Sequence, residues 1–153
     1  MELSRSVDGL IETSEFCVLL FADGSGRLYP RSWVPATERN RIGARTRIAQ
    51  MRSDDVRQYG VSGQGRTDPR DAFDVAMRLR PLPDAIYLMT DGSFTEQEVP
   101  EYIAKRNARS RIPVHCILFM EPDASARPEA EAALQRIARE SGGSYAFVSG
   151  STP

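Results

Sequence analysis

Two side chains with oxygen ligands stand where a parallel sheet would bind a ligand. Thr67 comes two residues before Pro69, which opens a segment with helical spacing of apolar residues, and Asp91 directly follows the apolar run AIYLMT. Open parallel sheets bind ligands at the carboxyl ends of their strands, and about one strand–helix unit separates the two positions. A hydroxyl and a carboxylate are oxygen ligands of the kind that Mg²⁺ takes. The spacing therefore predicts a partial Mg²⁺ site formed by Thr67 and Asp91.

Three further side chains, Arg66, Asp68 and Ser93, neighbour these candidate ligands. The structural alternative is that Thr67 caps a helix and Asp91 forms a turn, and both roles are compatible with metal binding. Because the pair offers one neutral and one charged oxygen, we expect Mg²⁺ binding by this chain to be weak or absent.

The histidine and the two cysteines are not expected to be catalytic or metal-binding residues. His115 is the sole histidine and lies in an apolar run, so we interpret it as a hydrogen-bonded strand residue and expect no zinc cluster or catalytic dyad. Cys17 and Cys116 each lie inside an apolar run, which predicts buried free thiols. We predict no catalytic residue.

Apolar runs and turn residues predict the elements that would position the site. Strands are predicted near residues 16–21, 27–32, 85–90, 114–119 and 144–148. The first two form a hairpin whose second strand ends before Trp33. Five helices are predicted. They run over 2–13, from a cap at Thr37 to about Met51, from Pro69 to about Arg80, over 95–107, and from Pro128 to Gly142. Because of Pro100, the helix predicted over 95–107 is expected to start late.

The alternation of strands and helices from residue 85 onward predicts an α/β fold. Its expected form is a three-layer α/β/α arrangement, with a mostly parallel sheet and one antiparallel edge hairpin. We predict one domain over residues 1–150 with a tail at 151–153. The predicted core consists of Val18, Leu20, Ile48, Phe73, Met77, Ile86, Leu88, Ile103, Ile117, Phe119, Leu134, Ile137 and Phe147.

The composition excludes several classes of partner. Hydrophobic residues at 41% and charged residues at 27% are typical of a soluble globular domain. A net charge of −1 gives no global attraction to nucleic acid. The chain has neither an apolar run that could span a membrane nor a signal peptide, so we expect no membrane insertion, and a cytoplasmic location by default.

The central segment GRTDPRDAFDVAMRLRPLPDAIYLMTDGSF resembles a von Willebrand factor A domain of the bacterial type. FCVLLFADGSGRLYPRSW is similar to the second and third strands of that family, and ESGGSYAFV is similar to its closing strand. The resemblance implies a Rossmann-like fold. It also implies that Thr67 and Asp91 occupy two ligand positions of the family's metal-ion-dependent adhesion site.

The sequence departs from the family pattern in two ways. Arg66 stands where the Thr loop usually has its second glycine. The Asp-x-Ser-x-Ser loop, which supplies the other metal ligands after the first strand, has no counterpart upstream of Phe16. The run Asp23 to Arg27 offers an aspartate and one serine, but a hairpin turn explains it better. The resemblance thus implies a domain that lacks its first strand.

By this resemblance the chain is expected to be a non-enzymatic protein-interaction domain with an unidentified protein partner. A metal-dependent hydrolase that uses Asp91 with Asp68 is one alternative. The other is a nucleic-acid binder that uses the arginine-rich helix from Arg39 to Arg52, although the sequence pI near 5.9 opposes it.

In the family, the first strand lies between the strands that correspond here to Phe16–Phe21 and Ala85–Thr90. Without that strand, two outcomes are open. The two strands either pair directly, which we favour because it satisfies their backbone groups, or expose apolar edges that lead to self-association with another chain.

Overall fold

The computed structural model describes residues 2–21, 25–50, 68–90, 98–120 and 128–149. They belong to two compact units, Met1–Gly65 and Arg66–Pro153, and each unit contains one sheet. The loop predicted over residues 53–65 lies outside the described residues. The single-domain interpretation stays a prediction.

The first unit comprises two helices and a hairpin. Its elements are α1 (Glu2–Asp8), β1 (Glu15–Phe21), β2 (Ser25–Pro35) and α2 (Glu38–Gln50), and β1 and β2 pair antiparallel, as predicted for the hairpin. Among the described residues of this unit, a cluster of buried hydrophobic side chains consists of Val7, Phe16, Val18, Ala36, Ala44 and Ile48. Both helices, β1 and the residue that follows β2 therefore contribute to a single small core.

The second strand of the hairpin is longer than predicted, since β2 includes Trp33 and ends at Pro35. Phe16 pairs with Val34 but Val18 pairs with Tyr29, so the register shifts between these pairs, as at a bulge or a comparable irregularity. A bulge interrupts the alternation of side chains, which is why the sequence pattern fades there while the strand resumes.

Helix α1 ends at Asp8, earlier than the predicted residue 13. Gly9 follows it and donates its N–H to the carbonyl of Arg5 at 3.0 Å, and glycine is a poor residue for continuing a helix. In the sequence, Leu3, Val7, Leu10 and Ile11 recur at spacings of three and four, which predicts one apolar helix face that includes Ile11. In the structure Ile11 is 69% exposed. The prediction of an inward Ile11 was therefore wrong.

Helix α2 begins after the predicted cap, because the Asn40 N–H donates to Thr37 Oγ1 at 3.4 Å. The sequence predicts an apolar face of this helix made of Ile42, Ala44, Ile48 and Met51. Ala44 and Ile48 are buried one turn apart, but Ile42 is 47% exposed. Ile42 stands two residues before Ala44 and so lies about 200° around the helix axis from it. The prediction that Ile42 packs inward was wrong for this reason.

The second unit carries the parallel sheet. Its elements are α3 (Arg70–Ala76), β3 (Ile86–Thr90), α4 (Val99–Asn107), β4 (Val114–Met120), α5 (Pro128–Ser141) and β5 (Tyr145–Ser149). The strands are ordered β3-β4-β5, and both neighbouring pairs are parallel. This confirms the predicted α/β class and its three parallel strands. None of the described helices is long and apolar enough to cross a membrane.

Burial alternates along the strands of this sheet. Leu88, Cys116 and Leu118 are buried, whereas Ile117 and Phe119, which the sequence placed in the core, are only half-buried. Successive residues of a strand point to opposite faces, so a continuous apolar run does not show which face is covered better. The better-covered face of β4 packs against α5, whose Leu134 is fully buried.

The other face of the sheet is more open to solvent. Tyr87 is 61% exposed and stacks on His115 with ring centroids 4.9 Å apart. Phe147 belongs to the better-covered face, because it is in register with the buried Leu118. It is nevertheless the predicted core residue that the structure contradicts most clearly, since it is 52% exposed. It lies on β5, which has one strand neighbour among the described strands. An apolar run at the end of a sheet has the same composition as one in the middle, so the pattern alone did not predict this exposure.

Polar contacts join the helices of the second unit. Asp74 on α3 accepts hydrogen bonds from Tyr102 Oη at 3.0 Å and from Arg106 Nε at 2.8 Å, both on α4. Burial alone would raise the pKa of Asp74, but the hydrogen bonds from Arg106 and Tyr102 outweigh it and lower the pKa below its ordinary value. Asp74 is therefore held ionised between the two helices.

Two glycines end α5 and bring its last turn against β4. Gly142 has a φ of 79° and donates its N–H to the Arg139 carbonyl, while the Gly143 N–H bonds to the Ala138 carbonyl at 2.8 Å. This is the Schellman pattern, which requires a left-handed residue after the helix. A Cβ on Gly143 would collide with the Val114 carbonyl oxygen.

We therefore expect Gly143→Ala to destabilise the chain more than Gly142→Ala. Gly143→Ala forces a methyl group against the backbone of β4 and should lower the free energy of unfolding by about 3 kcal/mol or more. The second places alanine at a positive φ in open space, which costs roughly 1–2 kcal/mol. Chemical denaturation of both variants measures the difference, and equal losses would contradict the close approach at Gly143.

Candidate functional site

The structure describes the residues that adjoin the two predicted ligands. Thr67 and Asp91, together with Arg66 and Ser93, lie outside the described residues. Asp68 directly follows the predicted threonine ligand, and the next helix, α3, begins at Arg70. The assignment of Thr67 and Asp91 as ligands therefore stays a prediction.

The neighbouring elements agree with a site at the carboxyl edge of the sheet. Thr90 is the last residue of β3 and is buried, with 8% of its surface exposed. In a parallel sheet the connecting helices run opposite to the strands, so the start of α3 and the end of β3 belong to the same edge. Thr90 therefore lies at this edge, and by the same general rule Asp68, just before the preceding helix, is expected there too.

Asp68 is bound by a residue at the start of α3. Its Oδ1 accepts a hydrogen bond from the backbone N–H of Arg70 at 3.0 Å. The Arg70 guanidinium donates to both carboxylate oxygens, with Nε to Oδ1 at 2.9 Å and Nη2 to Oδ2 at 2.7 Å. The carboxylate therefore accepts one backbone N–H at the start of α3, from a position just before the Pro69 N-cap, and forms an ion pair at the same time.

The Arg70 guanidinium also lies over the ring of Tyr102, with its carbon 5.9 Å from the ring centroid. That contact links the start of α3 to α4 through a cation–π interaction. Because the guanidinium is engaged on two sides, it is held where it covers both oxygens of Asp68.

The environment keeps Asp68 ionised. Partial burial on its own raises the pKa of Asp68, but the side-chain and backbone hydrogen bonds from Arg70 outweigh it and hold the pKa below its ordinary value. Both oxygens already accept bonds from Arg70, so Asp68 is poorly suited to serve as a general acid or a direct metal ligand while the pair is intact. The prediction that Asp68 neighbours the site stays a prediction, and its described contacts are those with Arg70.

Sequence reasoning missed Arg70 as the partner of Asp68. The available signal was the spacing Asp-Pro-Arg at the start of a helix, where an aspartate caps the first free N–H groups. Arginine two positions later brings its own N–H and its guanidinium to the same carboxylate. The composition of the segment alone did not distinguish this pairing from a solvent-exposed arginine.

His115 is hydrogen-bonded, as predicted for a strand residue. Its Nδ1 accepts from the Ser144 N–H at 3.2 Å and lies 2.8 Å from Ser144 Oγ. The ring also stacks on Tyr87. These contacts are those of a hydrogen-bonded strand residue.

The two cysteines are free thiols, as predicted. Cys116 is buried, and burial raises the pKa of its thiol to about 12. Cys17 is half-buried rather than buried, and its thiol donates to the Pro30 carbonyl at 3.3 Å. A thiol with a raised pKa is a poor nucleophile, so Cys116 acts as a core residue.

The described part of the candidate edge does not form a metal centre by itself. Within the ranges that the structure describes, no group of three or more His, Cys, Asp or Glu side chains could hold a metal ion. Asp68, the described carboxylate at this edge, is bound by Arg70. The described residues of the edge therefore do not fit a complete Mg²⁺ ligand set.

Comparison with known proteins identifies the fold. The chain matches no protein-family model and no curated protein. Among solved structures it is similar to a von Willebrand factor type A protein from Catenulispora acidiphila, with a TM-score of 0.69 and 20% identity over 95% of this chain. This chain spans 32% of that protein.

A second similar structure is the conserved hypothetical protein BatB from Bacteroides thetaiotaomicron. The TM-score is 0.67 at 20% identity, and the match covers 97% of this chain and 77% of that one. At this level of identity the likeness concerns the fold, which is that of von Willebrand factor A domains.

The Asp68 ion pair predicts a pH-dependent contribution to stability. Because the folded-state pKa of Asp68 is lowered below its ordinary value of 3.8, the contribution is present above that value and is lost as the pH falls through the folded-state pKa. Asparagine can still cap the helix but cannot form the ion pair. We expect Asp68→Asn to lower the free energy of unfolding by roughly 1 kcal/mol at neutral pH. In acid, the difference from the wild type should disappear. Unfolding free energies at neutral and acid pH measure it.

The matched control is Asp84→Asn, because Asp84 is exposed and forms no ion pair with a described residue. If both variants had the same stability at neutral pH, the ion pair would contribute nothing measurable.

Proposed function

We propose that this chain, which has a von Willebrand factor A-like fold, is a non-enzymatic domain that binds another protein at the carboxyl edge of its parallel sheet. The fold likeness over nearly the whole chain is the observation that carries the proposal. Ligand binding at this edge is general for open parallel sheets, and the proposed surface would include the start of α3 and the end of β3.

In this proposal Thr67 and Asp91 form a partial metal-ion-dependent adhesion site at that edge. Bound Mg²⁺ would supply a Lewis-acidic centre with oxygen coordination. Asp68 is held by Arg70, so it orders the first turn of α3 next to Thr67 rather than adding a ligand. Partner binding is therefore proposed to depend mainly on protein contacts at the edge.

Neither alternative function has support from a described contact. A hydrolase that uses Asp91 with Asp68 would need a carboxylate that is free to exchange protons, whereas Asp68 accepts bonds from Arg70 on both oxygens. The nucleic-acid alternative relies on α2. Arg41 of that helix donates to the Leu10 carbonyl at 2.6 Å, and Arg45 pairs with Asp8 at 3.2 Å, so both arginines are engaged within the chain.

Two alternatives remain for the strand edges. Either Phe16–Phe21 pairs directly with Ala85–Thr90, or an exposed strand edge leads to self-association. That pairing would join the two compact units, and it stays a prediction. Sedimentation analysis distinguishes the two, because direct pairing predicts a monomeric mass that does not change with protein concentration.

The proposed site predicts weak metal binding. We expect the Mg²⁺ dissociation constant to be weaker than about 10 μM, because one hydroxyl and one carboxylate provide little ligand charge. Isothermal titration calorimetry with the full chain measures it, and Asp91→Asn is the matched variant. A tighter constant that this variant weakens would show that further ligands complete the site.

The interaction itself is tested by affinity capture from the native host with a tagged chain. We expect proteins captured by the wild type to be depleted with the Thr67→Ala/Asp91→Asn variant and retained with Arg39→Gln/Arg47→Gln on α2. Nuclease treatment should leave the captured set unchanged.

Three results would contradict the proposal. One is a captured set that the edge variant leaves intact. Another is loss of capture after nuclease treatment, which would favour nucleic-acid binding. The third is turnover of phosphoester or peptide substrates with Mg²⁺ or Mn²⁺ that Asp91→Asn abolishes, which would make the chain a hydrolase.

A further inference from the structure

A surface groove of about 440 Å³ lies between α4 and the C-terminal half of α5. Its apolar lining comes from Pro100, Ile103, Ala104 and Ala108 on the α4 side and from Ile137 on α5. Ile103 and Ile137 are each 2% exposed, so they form the floor. The small side chains of Ala104 and Ala108, one turn apart, leave the space above that floor open.

This α4–α5 groove extends to the amino edge of the sheet, where β4 begins at Val114, opposite the edge at which β3 ends at Thr90. The end of α5 is fixed to the first residue of β4, because Ser141 Oγ accepts a hydrogen bond from the Val114 N–H at 3.0 Å. The end of α4 is fixed nearby through Asn107. The groove is therefore a separate surface from the site of the proposed function.

Two arginines of the groove can bind polar groups of a ligand. Asn107 also lines it, but its amide is used internally, with Nδ2 donating to the Ile112 carbonyl at 2.6 Å and Oδ1 accepting from the Ile112 N–H at 2.9 Å. Arg111 and Arg139 line the groove, are exposed, and form no ion pair with any residue that the structure describes. Their guanidinium groups can therefore pair with a ligand.

The surrounding described groups do not neutralise these arginines. Glu140 lines the groove too, but it pairs with Arg136 at 2.8 Å. The carbonyls of Ala138 and Arg139, near the end of α5, accept the N–H groups of Gly143 and Gly142. Within the described part of the chain, the groove thus combines an apolar floor with two positive charges at its rim.

We propose that the α4–α5 groove binds an acidic amphipathic peptide segment of a partner protein. Apolar side chains of the segment would pack on Ile103 and Ile137 between the helices, and its carboxylates would pair with Arg111 and Arg139. Grooves between helices commonly accept one apolar face of a peptide, and arginine binds carboxylates through paired hydrogen bonds. The open form of the groove suits a chain segment better than an enclosed small molecule.

The probe is a fluorescein-labelled amphipathic peptide with leucines on one helical face and glutamates beside them. Its matched analogue carries glutamine in place of each glutamate. Fluorescence anisotropy with the full chain gives both dissociation constants. We expect the acidic peptide to bind and the neutral analogue to bind about tenfold more weakly, with the difference shrinking as salt is added.

Two variants test the two parts of the groove. Arg111→Gln/Arg139→Gln removes the charges and should weaken binding of the acidic peptide about tenfold, or about 1.4 kcal/mol. Ala104→Leu fills the space above the floor at an exposed position and should weaken both peptides. Arg109→Gln is the control, because Arg109 is an exposed cation outside the lining.

Thermal denaturation of each variant shows whether it is folded, and only folded variants are compared. The proposal is overturned if the acidic peptide does not bind, if the neutral analogue binds equally well, or if Arg109→Gln weakens binding as much as the double variant. It is also overturned if Ala104→Leu leaves the affinity unchanged.

Discussion

The close approach of the end of α5 to the start of β4 is the constraint on which the second unit depends. Ser141 bonds to the Val114 N–H, Gly143 lies against the Val114 carbonyl, and the Cys116 N–H donates to the Ser144 carbonyl at 2.8 Å. These contacts follow one another along both segments and set the register in which β5 adds to β4. They also hold α5 over the buried residues of the sheet, because the helix ends at a fixed point.

Much of this architecture could be predicted from the sequence. Apolar runs bounded by proline, glycine and polar residues located five strands, and proline and glycine located the ends of α5. The register shift in β2 and the exposed Phe147 could not be predicted in the same way. Each depends on which neighbour covers a residue, and an apolar side chain does not itself specify its neighbour.

The candidate sites show the same limit. The sequence placed Thr67 and Asp91 by their positions relative to a helix and a strand, and the elements beside them, α3 and β3, occur where they were expected. The pairing of Asp68 with Arg70 depends on side-chain geometry that the spacing did not reveal. The α4–α5 groove was missed because it results from small alanines beside a packed helix, which produce no distinctive hydrophobic pattern.

His115 has a consequence for how the molecule can be observed. The Ser144 N–H needs a lone pair on Nδ1, so the proton of the neutral imidazole lies on Nε2. Since this is the only histidine in the chain, its ring nitrogens would give a single, unambiguous set of magnetic resonance signals. Those signals report which ring nitrogen carries the proton. The tautomer depends on the hydrogen bond between His115 on β4 and Ser144, the residue before β5. The imidazole is therefore a built-in spectroscopic reporter of whether the crossover from α5 into the sheet is intact.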